Sequence, residues 1–175
     1  MMNRSSGTVR NEATILLADA DKLALFQTRT QLMSAGIRSL IEEVTDASAL
    51  VLALSRHLRH GTSTLPLFVL MDVTMRKTSG FDALRWIRSE SSLAELPIIM
   101  LTSSKDDALV LTAYQLGADG YLEKGRNLEA FTYIYQQASR VKMGEIQRVG
   151  AFTAIPGGKR LANDDEELIE TTREL

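Results

Sequence analysis

Five times along the chain a short run of consecutive apolar residues gives way to a stretch in which apolar residues recur every three or four positions. The runs are Thr14–Ala18, Ser39–Val44, Leu67–Met71, Pro97–Leu101 and Gly120–Lys124. Runs of this length suit strands buried on both faces, as in a parallel sheet. The intervening stretches predict helices. From Lys22, the residues Leu23, Phe26, Thr30 and Met33 share one face, with Asp21 as N-cap and Gly36 as the stop. From Asp46, Val51, Leu54 and Leu58 fall in line; in Phe81–Ser89, Phe81, Leu84 and Ile87 point inward. Ala108–Leu116, closed by Gly117, and Asn127–Val141 complete the set. Each connection is long enough for a right-handed crossover. The fold class predicted is α/β, a doubly wound five-stranded parallel sheet.

In such a sheet, ligands bind at the carboxyl ends of the strands. The residues there are Asp19 and Asp21, Asp72, Thr102 and Lys124. A carboxylate can attack a phosphoryl donor to form an aspartyl phosphate. A hard cation such as Mg²⁺ offsets the charge on the phosphoryl oxygens. A hydroxyl and a lysine pair with those oxygens. Each residue also has a structural explanation of its own, Asp72 as a turn cap for instance, but four strands delivering such groups to one edge point to chemistry. His57 and His60 lie three apart near a helix end, without supporting carboxylates or cysteines, and read as a solvated terminus; Trp86 reads as packing.

Composition narrows the class. The 175 residues accommodate one domain plus a tail, the apolar fraction of 45% is ordinary, and the net charge of −2 gives no global attraction to nucleic acid or anionic membrane. With no cysteine, disulfides and thiolate metal sites are excluded, and a reducing cytoplasm is the expected location. No apolar run approaches membrane-spanning length.

The motifs ILLADAD, LFVLMDVTM followed by SG, PIIMLTSS and GADGYLEK, in this order from about Thr14 to Val141, resemble the receiver domain of bacterial two-component response regulators. The resemblance implies a flavodoxin-like strand order 2-1-3-4-5. It implies Asp72 as phospho-acceptor, Thr102 as switch hydroxyl, Lys124 as phosphate-pairing lysine and Tyr121 as the aromatic that turns inward on activation. It implies Mg²⁺ held by Asp19, Asp72 and the Thr74 backbone carbonyl. The phosphodonor would be a histidine kinase or phosphotransfer protein. A downstream protein would dock on the surface of helix four, strand five and helix five; a homodimer is compatible with this. The protein would take part in phosphoryl transfer without being an enzyme.

Three departures stand out. Ala20 occupies the second acidic position after the first strand, so Mg²⁺ binding is expected to be weak; Asp21, one place on, is an additional candidate ligand but more naturally caps the helix. Gly125 follows Lys124 where a cis proline is usual, and Arg76 replaces another proline. Ala20 leaves two outcomes open, phosphorylation that needs high Mg²⁺ or a degenerate receiver that binds its partner without phosphorylation. Another class, the haloacid-dehalogenase-type phosphatases, shares a D-x-D start (Asp19-Ala20-Asp21) but lacks the glycine and threonine that should follow and leaves Asp72 unexplained; a flavin-binding flavodoxin would need a phosphate loop that is missing. The domain limits expected are a flexible leader 1–12, the receiver 13–143 and an extension 144–175, partly disordered or carrying a short acidic helix from Asn163. Met143, Ile146 and Val149 continue the spacing of the last helix past Gly144.

Overall fold

The computed structural model describes residues 13–75, 79–104, 106–125, 127–161 and 168–170. Arg76, the leader 1–12 and the acidic run Asn163–Glu167 lie outside these. Among the described residues, seven strands form one sheet: β1 (Thr14–Ala18), β2 (Leu40–Val44), β3 (Val69–Asp72), β4 (Ile98–Thr102), β5 (Gly120–Glu123), β6 (Lys159–Leu161) and β7 (Leu168–Glu170). Five helices alternate with the first five strands: α1 (Lys22–Ser34), α2 (Ala47–Arg59), α3 (Gly80–Ser89), α4 (Asp107–Gln115) and α5 (Leu128–Lys142). The sheet order is β2-β1-β3-β4-β5-β6-β7, and the first five strands are mutually parallel. The predicted five-stranded order 2-1-3-4-5 is thus present and is continued on the β5 side by an antiparallel hairpin.

Period-two alternation along the buried strands splits the core in two. Leu16, Val69, Met71, Ile98, Met100 and Tyr121 pack with α2, α3 and α4 on one face. Ile15, Leu17, Phe68, Leu70, Ile99, Leu101 and Leu122 pack with α1 and α5 on the other. Among the described residues, no helix is long and apolar enough to cross a membrane. Trp86 is packed against the first core, as its position predicts. His57 Nε2 lies 3.0 Å from Glu42 Oε2 and its side chain is only 16% exposed, so this part of the helix end is packed against a carboxylate and not solvated as expected.

Three expectations need correction. Leu23, Phe26 and Met33 of α1 are 61%, 56% and 64% exposed, whereas Leu25 and Leu32 are buried. The helix is apolar on two faces, so spacing alone selects the wrong one. The last helix stops at Lys142: Met143 caps it and Gly144 takes φ 73°, a left-handed turn that ends the helix. Met143 and Val149, expected on its apolar face, are exposed. Leu168–Glu170, expected within a short acidic helix, is a strand.

Side-chain caps start four helices: Asp21 accepts from Leu23 N–H, Asp46 from Ala49, Ser79 from Asp82 and Asp106 from Ala108. All four begin at the carboxyl edge of the sheet, aiming their partial positive N-termini toward it. The turn from β3 into α3 is tightest at Gly80, whose N–H bonds Val73 O at 3.0 Å. A Cβ on Gly80 would lie 2.2 Å from the backbone oxygen of Asp72. Gly80→Ala should therefore cost about 3 kcal/mol or more, because backbone and not a side-chain tip must yield. Urea unfolding tests this; a loss under about 1 kcal/mol would show that the turn relaxes freely.

Candidate functional site

The register of β1, β3 and β4 brings the ends of these strands level, and β5 delivers the residue after it. Among the described residues, Asp19 and Asp72, each 6% exposed, and Thr102, 2%, are buried polar residues. Lys124 Nζ lies 2.5 Å from Asp19 Oδ2 and 3.0 Å from Asp72 Oδ1. The other oxygens have backbone donors: Asp21 N–H reaches Asp19 Oδ1 and Thr74 N–H reaches Asp72 Oδ2, both at 2.9 Å. Thr102 Oγ1 accepts from Ser104 N–H at 3.0 Å. Lys124 is set by its own N–H bonded to Thr102 O. Beyond it the Lys124–Gly125 peptide is trans, and Asn127 Nδ2 donates to Glu123 O at 2.8 Å.

Burial raises the Asp72 carboxyl above its ordinary range; Lys124 opposes that, Asp19 reinforces it, and the Thr74 N–H opposes it. Burial by itself would lower Lys124, but the two carboxylates outweigh it and its pKa is raised, so the ammonium stays charged. Asp19, Asp21, Asp72, Thr74 and Lys124 line a single open cleft, together with Ala20 and Asp46. Asp46 was legible only as a helix start; nothing in its spacing showed that its helix opens onto this cleft.

Asp21 does not join the carboxylate pair through its side chain, which is exposed and spent on capping α1. Among the described residues no group of three or more His, Cys, Asp or Glu side chains converges as a metal centre. Asp19 and Asp72 alone still form an all-oxygen donor set, and Mg²⁺ relies on one or two carboxylates with water completing its shell. The donor set fits Mg²⁺ in that reduced form. The same geometry disfavours the phosphatase alternative, since Asp21 does not pair with Asp19 and Asp72 takes the central place.

Tyr121, expected to turn inward on activation, is already fully buried. Its hydroxyl makes no hydrogen bond of good geometry. Burial raises its pKa, and Thr102 lies near enough to offset part of that shift.

Residues 15–135 match the family model described as the response regulator receiver domain, and the chain belongs to that family of two-component signalling proteins. It is 37% identical over 106 residues to the transcriptional regulatory protein GltR of Pseudomonas aeruginosa, covering 61% of this chain and 40% of GltR. It is 30% identical over 84 residues to the response regulator Rcp1 of Synechocystis, covering 48% of this chain and 57% of Rcp1. The chain thus spans about half the length of these curated relatives. Among solved structures, the signal receiver domain of an HD domain-containing protein from Pseudomonas fluorescens Pf-5 superposes with TM-score 0.65 at 20% identity, covering 81% of this chain and 96% of that one. The Mn(2+)-bound form of Rcp1 superposes with TM-score 0.57 at 25% identity, covering 73% and 92%.

Asp72→Asn should stabilise the protein at pH 7, because burial raises the carboxyl's pKa and the variant removes the charge that burial penalises. Since the folded-state pKa is raised, the native carboxyl holds its proton more tightly than the unfolded one. The penalty is absent below the ordinary value of 3.8, grows as pH rises, and is complete above the raised value. Melts of both proteins across pH 3.5–7 should therefore converge at the acid end. A variant less stable than wild type at pH 7 would show that the Lys124 pair outweighs burial.

Proposed function

We propose that this receiver accepts a phosphoryl group on Asp72 and relays that event to a protein partner in the cytoplasm. The observation that supports it most is the position of Lys124, bridging Asp72 and Asp19 at the carboxyl edge of the sheet. In this reading Asp72 Oδ attacks the phosphorus of a phosphohistidine, supplied by a histidine kinase or phosphotransfer protein. The new O–P bond forms as the N–P bond breaks and the imidazole leaves. Lys124 stays charged and pairs with a phosphoryl oxygen. Thr102 donates its hydroxyl to another. Asp19, Asp72 and the Thr74 carbonyl would hold Mg²⁺, which neutralises developing charge on the phosphoryl oxygens. Phosphorylation adds roughly −1.5 to −2 charge near neutral pH. The response passes from Thr102 toward Tyr121 and the surface of α4, β5 and α5, where the partner is read.

The test is labelling of the full chain with a small-molecule phosphodonor and Mg²⁺, followed by intact mass. Wild type should label once and Asp72→Asn not at all; persistent labelling of the variant would move the acceptor to Asp19. Thr102→Ala should label yet fail to alter partner binding.

The weakened metal set makes a separate prediction. Ala20→Asp should tighten Mg²⁺ binding by at least about tenfold, since a further carboxylate joins the site. Titration of Mg²⁺ against intrinsic fluorescence and labelling rate measures this. Equal affinities would show that Asp21 abandons its cap to act as ligand.

A further inference from the structure

The surface of α4, β5 and α5 is covered by the chain's own residues 145–159. β6 lies antiparallel to β5, with Lys159 opposite Tyr121. Tyr114 of α4 donates its hydroxyl to the Lys159 carbonyl, and Lys159 Nζ bonds Asp107 Oδ1 at 2.8 Å. Tyr133 of α5 donates to Ala151 O at 3.1 Å. Arg148 pairs with Asp119, just before β5, which also pairs with Arg88 at 2.9 Å. Phe152 and Ile155 are 3% and 2% exposed, buried in the core shared with α1 and α5. Ile155 fills a space the chain leaves open for it: a Cβ on Gly120 would lie 2.4 Å from Ile155 Cδ1.

These contacts have the form of peptide recognition by strand addition: main-chain pairing to a sheet edge at Lys159, two buried apolar side chains, of which the branched Ile155 sits in a fitted space, and two cations on two carboxylates. The segment differs from a ligand only in being tethered. We propose that this face is an acceptor for an extended polypeptide carrying a branched aliphatic anchor and basic flanks, and that residues 145–159 are its resident occupant, which a partner segment must displace. The proposal rests on the functional reading above only in taking this face as the one from which output is read.

A tether holds the resident at an effective concentration of order millimolar, so a free segment competes poorly against it. The probe is a fluorescent synthetic peptide of residues 145–159, added to the full chain. It should bind the full-length Ile155→Asp protein at least about tenfold more tightly than wild type. A peptide itself carrying Ile155→Asp should bind neither. Hydrogen exchange at Gly120–Glu123 should rise in the variant protein and fall again when the wild-type peptide is added. Equal binding to both proteins, or none to the variant, overturns the proposal. If Ile155→Asp does not fold, by circular dichroism, Tyr114→Phe replaces it, with a smaller gain of about threefold expected and equal binding again overturning the proposal. Asp72 labelling is followed in parallel. Capture without labelling removes the phosphorylation reading and keeps the acceptor; labelling without capture does the reverse.

Discussion

The Lys124 ammonium sits between two carboxylates that are almost wholly shielded from water. One cation against two anions leaves a residual negative charge at low dielectric, where such charge is costly. Much else at this edge moderates that cost. Backbone N–H groups of Asp21 and Thr74 take the second oxygen of each acid, and four helices begin there with their positive ends. In the function proposed above, the imbalance is also what would make the site receptive. A divalent cation would relieve it, and the phosphoryl group proposed for Asp72 would draw Lys124 toward new oxygens. A fully neutralised cluster would be more stable and less responsive.

The strand ends were readable because their signal is local. An apolar run of five residues ending on Asp19, Asp72 or Thr102 states both where the strand lies and what it delivers. Parallel crossovers then leave a single edge for those residues to share. What could not be read was side-chain orientation where the pattern is ambiguous. α1 carries apolar residues on opposite faces, and only the docking of Leu25 and Leu32 against the sheet decides that Leu23, Phe26 and Met33 face solvent. Asp46 is a similar case: as a cap it is legible, as lining of the cleft it is not, because that depends on how α2 packs around it.

The C-terminal segment was misread for a different reason. Met143, Ile146 and Val149 continue the spacing of α5, but Gly144, Gly150 and Gly157 all take positive φ between 67° and 84° and the chain leaves the helix at Lys142. Such a segment has no structure of its own; it takes shape from the surface it lies on. Arg148 and Asp119 are 29 residues apart and carry no common motif, yet they close a buried charge cluster with Arg88. Burial raises the Asp119 carboxyl despite both arginines, so its pairing is exacting and the loss of Arg148 would leave that charge poorly compensated.

An exposed edge strand is a liability, since its unpaired N–H and C=O groups template association with other chains. β5 would be that edge, with Tyr121 in the middle of it. Pairing it with β6 removes the liability and at the same time removes water from around Tyr121, which explains why an aromatic residue expected to move is found already inside. A side chain held in by a strand cannot report on Thr102 by rotating alone; any rearrangement there has to strain the β5–β6 pairing or the Tyr114 contact to Lys159. Sheet edge, Tyr121 and the C-terminal segment are therefore packed as one unit in this chain.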